Sequence, residues 1–147
     1  MPKKTPTPEA SDQTPCNCLA LRQAARHLSQ IYDDHLAAEG LRTTQYSILS
    51  KLNRLGPLPI GKLADTMVLE RTALARALQP LERDGLVSVG DGPNGRTRSV
   101  ALTAAGEARL KAAAPSWRRA QKEFETAFGA ADAAALRTML RRVVAAA

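Results

Sequence analysis

Residues 60–87 read IGKLADTMVLERTALARALQPLERDGLV, and the fold class follows from how this stretch divides. Its first half, Ile60 to about Met67, predicts a two-turn helix with Leu63 and Ala64 turned inward. A short break at Val68-Leu69 leads into a second helix from about residue 70 to 84. Two short helices joined by a tight connection are the layout of a helix-turn-helix. On the second helix Leu74, Leu78 and Leu81 recur at helical spacing toward a core, which leaves Arg71, Thr72, Ala75, Arg76 and Gln79 outward. Pro80 has no N–H, so one hydrogen bond is lost within this helix and a kink is expected there.

Beyond it, residues 86–90 and 98–102 are short runs in which Val87, Val89, Val100 and Leu102 alternate with small or polar residues. Between them lies DGPNGRT, dense in turn formers, so the pair predicts a β-hairpin with a protruding loop, a wing. Thr103 is the expected N-cap of a long helix over about residues 104–128, ended by Gly129. A final helix is expected from about Asp132, with Leu136, Met139, Leu140, Val143 and Val144 on one stripe. One small chain offers these two helices too few neighbours, so a second subunit is expected to cover them.

On the N-terminal side, Leu21, Ala25, Leu28, Tyr32 and Leu36 place one helical face between residue 16 and about 38, and Gly40 stops the helix. Thr43 is the expected N-cap of the next helix, whose buried stripe is Tyr46, Leu49, Leu52 and Leu55. Residues 58–60 read as extended. Residues 1–15 hold four of the nine prolines and read as a mobile arm. The chain is therefore expected to be mainly α with a small β-hairpin wing. A winged helix-turn-helix lobe (43–102) is flanked by an N-terminal dimerisation helix (16–42) and C-terminal dimerisation helices (103–147).

Composition narrows the function. The 147 residues, 44% hydrophobic and 24% charged, have room for one domain or two small lobes and are too few for a multi-domain enzyme. Lys plus Arg (21) exceed Asp plus Glu (14), which favours a polyanionic partner. Aromatics at 3% are too sparse for a base-stacking, single-strand surface, so double-stranded DNA is the expected polyanion. The excess is split, +3 over residues 16–102 and +4 over 103–147, so charge alone does not locate the surface. Two cysteines are too few for a secreted disulfide scaffold, and no apolar run reaches 18 residues, so a cytoplasmic protein is expected. No nucleophile elbow, P-loop or dinucleotide fingerprint is present, and Asp33 and Asp34 diverge on a helix; neither catalysis nor a cofactor is expected. Cys16, Cys18, His27 and His35 follow no compact zinc spacing, so no metal is expected either.

The element order resembles the MarR family of winged-helix repressors over roughly residues 18–145. The segments LADTMVLERTALARALQPLERDGLV (63–87) and RTRSVALTAAG (96–106) are similar to that family's LA…TxxR…LExxGLV and DxRxxxVxLTxxG patterns. The resemblance implies a homodimer on a pseudo-palindromic operator, with two recognition helices in successive major grooves and two wings in flanking minor grooves. In chemical terms Arg71 and Arg76 suit guanine and Gln79 suits adenine, while any one of Arg71, Thr72, Arg76 and Gln79 could equally contact phosphate only. Alanines at 73, 75 and 77 leave few reading side chains, which shifts weight to DNA shape. In the wing, Arg96 falls on the family's minor-groove arginine, and Asn94 stands where an Asp usually steadies it; Arg98 is a further phosphate candidate.

The resemblance also implies an effector. A small aromatic or phenolic ligand is expected where Arg26, Tyr32 and His35 of the first helix meet Trp117 of the long one. An oxidative trigger is the other reading, because residues 18–46 align without gaps to the peroxide-sensing OhrR branch. Cys18 falls on its reactive cysteine and Tyr32 on a tyrosine that bonds the thiolate, whereas Arg22 and Thr43 replace two further tyrosines. Tyr32 lies about 21 Å along the helix from Cys18, so it would serve the cysteine of an antiparallel partner. A bond between Cys16 and Cys18 would be strained, which makes a mixed or intersubunit disulfide the expected oxidised end point. Two bland readings stand beside these: a small buried thiol, and a winged-helix protein-interaction module that never touches DNA.

Overall fold

The computed structural model describes residues 15–93 and 95–146. The expected arm at 1–15 lies almost wholly outside the described residues, and Asn94 lies outside them too. Helix α1 (Asn17–Leu36) is capped by Cys16, whose Sγ accepts a hydrogen bond from the Leu19 N–H at 3.4 Å. A short 3-10 turn (Ala37–Glu39) and Gly40, at φ 67°, reverse the chain into α2 (Thr43–Leu55).

The cap of α2 departs from expectation. Arg42, not Thr43, occupies the N-cap; its N–H donates to Gln45 Oε1 at 3.0 Å. Thr43 is the first helical residue, and its N–H donates to Asp33 Oδ1 of α1 at 2.7 Å. A carboxylate is a stronger acceptor than a hydroxyl, so the neighbouring helix supplies what the local threonine was expected to supply.

Strand β1 (Leu58–Pro59) leads directly into α3 (Ile60–Met67) and then α4 (Arg71–Arg83). Strands β2 (Val87–Asp91) and β3 (Arg98–Leu102) form the wing, and the sheet order is β1-β3-β2, antiparallel throughout. Val100 pairs with Leu58 on one side and Val89 on the other, so the hairpin gains a third strand at its root. Helix α4 continues through Pro80, with the Asp84 N–H donating to the Pro80 carbonyl at 3.0 Å.

Helix α5 (Ala104–Phe128) starts on Thr103 as expected. Its hydroxyl accepts from the Gly106 N–H at 3.0 Å and donates to the Gly85 carbonyl at 2.6 Å. After Gly129, α6 (Ala130–Ala145) begins two residues earlier than expected. The core is sealed by Leu36, Ile48, Leu49, Leu63, Leu74, Leu81 and Val100, gathered from α1 through β3, and α5 closes it with Leu110 and Ala113.

Parts of three expected stripes are not covered within the chain. Leu55, read as buried, is 53% exposed, because α2 ends beyond the core. Leu21 and Ala25 of α1 are likewise exposed, and Met139, Val143 and Val144 of α6 are open to solvent. Among the described residues no helix is long and apolar enough to cross a membrane.

Candidate nucleic-acid interface

Helix α4 is pinned by one face and free on the other. Leu74, Leu78 and Leu81 are 0–3% exposed, and that anchorage fixes the helix rotation. Arg71, Thr72, Ala73, Ala75, Arg76 and Gln79 are consequently all exposed. Among the described residues neither Arg71 nor Arg76 lies within ion-pair distance of a carboxylate, so two full positive charges stand on this face uncompensated. The connection from α3 runs through Val68 in the left-handed region, φ 52°, and the Arg71 guanidinium folds back over Gly61 of α3.

The wing ends in a closed turn. The Gly92 N–H donates to the Thr97 carbonyl at 2.6 Å and the Gly95 N–H to the Gly92 carbonyl at 2.9 Å. Asp91 and Arg98 face each other on the last rung, and Arg96 and Arg98 are exposed. The wing thus carries two exposed arginines, and the exposed face of α4 carries two more.

A second feature lies away from this surface. A largely apolar cavity of about 600 Å³ opens between α1, the end of α5 and α6, with Leu28, Tyr32, Phe124, Phe128, Leu136 and Leu140 among its walls. The Tyr32 hydroxyl donates to Gln121 Oε1, and Phe124 stacks on Phe128 with centroids 5.2 Å apart. Burial, and secondarily the Glu125 carboxylate, raise the Tyr32 pKa above the usual tyrosine value against an opposing pull from Arg137.

The MarR family pattern matches residues 41–96, from the start of α2 to the wing. The transcriptional regulator MosR of M. tuberculosis is 36% identical, with 87% of this chain and 97% of that one covered and a TM-score of 0.72. Its structure with DNA is similarly close, at 37% identity, 87% and 98% coverage and a TM-score of 0.73. This chain belongs to the MarR family. An HTH-type transcriptional regulator of Bacillus cereus is 26% identical over 110 residues, covering 75% of this chain and 71% of the relative. BpsR of Bordetella bronchiseptica shares the fold at 19% identity, with a TM-score of 0.81 over 97% of this chain and 100% of that one. The protein is thus a MarR-family winged helix-turn-helix transcriptional regulator, a DNA-binding protein and not an enzyme.

The effector residues expected in this MarR-family chain do not converge. Tyr32 lies on the cavity wall, but Arg26, His35 and Trp117 are not among its lining. His35 Nε2 meets Glu123 Oε2 of α5 at 2.5 Å, and Trp117 stacks on Tyr46 of α2 at 6.0 Å between centroids. Arg26 is exposed, with no ion pair to any described carboxylate. Cys16 and Cys18 are both exposed and form no disulfide among the described residues, the first capping α1 and the second inside its first turn. Among the described residues no three His, Cys, Asp or Glu side chains gather to hold a metal.

Sequence reasoning missed Gly61, Phe124 and Phe128. The phenylalanines carried a signal in their i, i+4 spacing on α5, which puts both on one helical face. Gly61 carried only the oddity of a glycine inside a helical pattern.

Proposed function

We propose that this MarR-family regulator is a homodimeric repressor of a pseudo-palindromic operator, its two α4 helices in successive major grooves and its wings in the flanking minor grooves. The observation that carries the reading is the bare pair Arg71 and Arg76, uncompensated on a face of α4 that three buried leucines hold toward solvent. Thr72 and Gln79 share that face; Arg96, Arg98 and Asn94 are assigned to the wing contact. Residues 43–102 form the DNA lobe in this reading, and 16–42 with 103–147 form the dimer body. Leu19, Leu21, Leu140 and Val143, 37–51% exposed on α1 and α6, supply the apolar face that a second copy covers.

Release follows from an effector that changes the spacing of the two lobes. A small aromatic or phenolic compound suits the cavity beside Tyr32, where the walls are apolar and Phe124 and Phe128 offer ring faces. Oxidation of Cys18 is the second trigger, favoured by the exposure of both thiols at the start of α1.

The test is selection of duplexes from a random pool by the full chain, followed by mobility shift. Paired half-sites with centres about 10 base pairs apart are expected. Failure to enrich any duplex would instead favour a winged-helix protein-interaction module.

A further inference from the structure

Gly61 is the second residue of α3 and is half-buried. Its φ is not in the left-handed region, so any residue could adopt its backbone conformation. A Cβ built there would meet one neighbour: its three nearest heavy atoms are Nη2, Cζ and Nε of Arg71, at 2.9, 3.6 and 3.9 Å. Neither turn geometry nor core packing accounts for the poorest helix former after proline at this place. What the missing side chain leaves room for is a guanidinium.

Arg71 is the first residue of α4 and reaches back across the helix-turn-helix connection onto α3. No carboxylate among the described residues neutralises it. Arg76 lies five residues on, about 1.4 turns further along α4. In a helix-turn-helix the second helix enters the groove while the first crosses the sugar-phosphate backbone. A guanidinium drawn back over the first helix is placed for phosphate, and a contact of that kind sets register without reading sequence.

We propose that Gly61 is a positioning residue for DNA binding: it seats the Arg71 guanidinium against α3, so that Arg71 meets a backbone phosphate already ordered. The proposal rests on the DNA-binding reading and adds to it a division of labour, Arg71 for phosphate and Arg76 for bases. The benefit of the seat is the side-chain freedom that Arg71 no longer loses on binding.

Gly61→Ala and Gly61→Leu test it on the full chain, with the duplex that the wild type selects. Both replacements are better helix formers than glycine, and the atom that they displace is the tip of a flexible side chain. Thermal stability is therefore expected to hold or rise while operator affinity falls, about three- to tenfold, more for Leu than for Ala. Arg71→Ala should weaken all duplexes alike and reduce the salt dependence of binding by about one phosphate contact. Adding Gly61→Leu to Arg71→Ala should cost nothing further. Wild-type affinity in both Gly61 variants, or an equal loss with and without Arg71, would overturn the seat while leaving DNA binding intact. A changed base preference in Arg71→Ala with an unchanged salt slope would overturn the phosphate assignment. A wild type that selects no duplex would remove the DNA-binding reading and this proposal with it.

Discussion

Gly106 of α5 lies against the backbone of Leu86, so closely that a methyl group at Gly106 would run into the Leu86 carbonyl and stand 2.7 Å from Leu102 Cδ1. Beside this contact the Thr103 N–H donates to that same carbonyl at 3.1 Å, and the Thr103 hydroxyl bonds Gly85. The LTAAG segment thus clamps the start of α5 onto the root of the wing. A tilt of α5 is therefore expected to pass to the hairpin through backbone, which has no rotamer to absorb it.

Gly106→Ala is expected to destabilise the fold. Alanine gains up to about 1 kcal/mol over glycine in helix propensity. A clash with backbone that cannot swing aside costs more, about 1–3 kcal/mol or above. Thermal unfolding should show a lowered Tm, opposite in sign to Gly61→Ala. An unchanged Tm would mean that the clamp is loose.

Arg76→Ala should weaken specific binding by about 1–3 kcal/mol and relax preference at one position in each half-site. Competition among single-base variants of the selected duplex measures this. Unchanged affinity and unchanged preference together would take α4 out of the groove.

Leu140→Asp should yield monomers and abolish operator binding, because it places a charge in the middle of the apolar face on α1 and α6. Analytical ultracentrifugation reads the outcome directly. A wild-type chain that sediments as a monomer at micromolar concentration would sink the dimer.

Stability should decline in alkali. Burial raises both Tyr32 and Tyr46 above 10.0, with Glu125 adding to the first and Arg118 opposing the second. The folded protein then holds the phenolic protons more tightly than the unfolded chain does. Their contribution is complete below pH 10 and is lost as pH rises from there through the folded-state values. These are the only two tyrosines, so tyrosinate absorbance should titrate late in the native protein and normally in urea. Native titration at the ordinary value would contradict this. Tyr32→Phe should leave only the Tyr46 share of the effect.

If oxidation is the trigger, organic hydroperoxide should release DNA from the wild type and from Cys16→Ser but not from Cys18→Ser. In the chain itself Tyr32 is engaged with Gln121, so a thiolate-bonding role requires it to exchange that partner. Persistence of DNA binding under peroxide, with release by a phenolic acid, would leave the cavity as the effector site.

Most of the helix boundaries and the exposed face of α4 were legible because they depend on separations of three or four residues. Thr103 was readable as a cap since the N–H that it serves is three residues on, at Gly106. Leu74, Leu78 and Leu81 define a buried face on any α-helix, so the exposure of Arg71, Arg76 and Gln79 followed without knowledge of the neighbours. Thr43 shows where that reach ends: the acceptor for its N–H is Asp33, on another helix.

The contacts around Tyr32 depended wholly on tertiary structure. Which α1 residue meets which α5 residue is set by the crossing and axial register of two helices, and neither leaves a local trace. That register puts Tyr32 beside Gln121 and His35 beside Glu123, and carries Trp117 away to Tyr46. By itself the sequence determined the order of elements, the exposed face of α4 and the wing, because backbone periodicity and turn chemistry are local. Only the tertiary structure decided the Asp33 cap, the cavity at Tyr32 and the approach of the Arg71 guanidinium to Gly61, because each is a contact between helices whose relative placement is set by packing of the whole core.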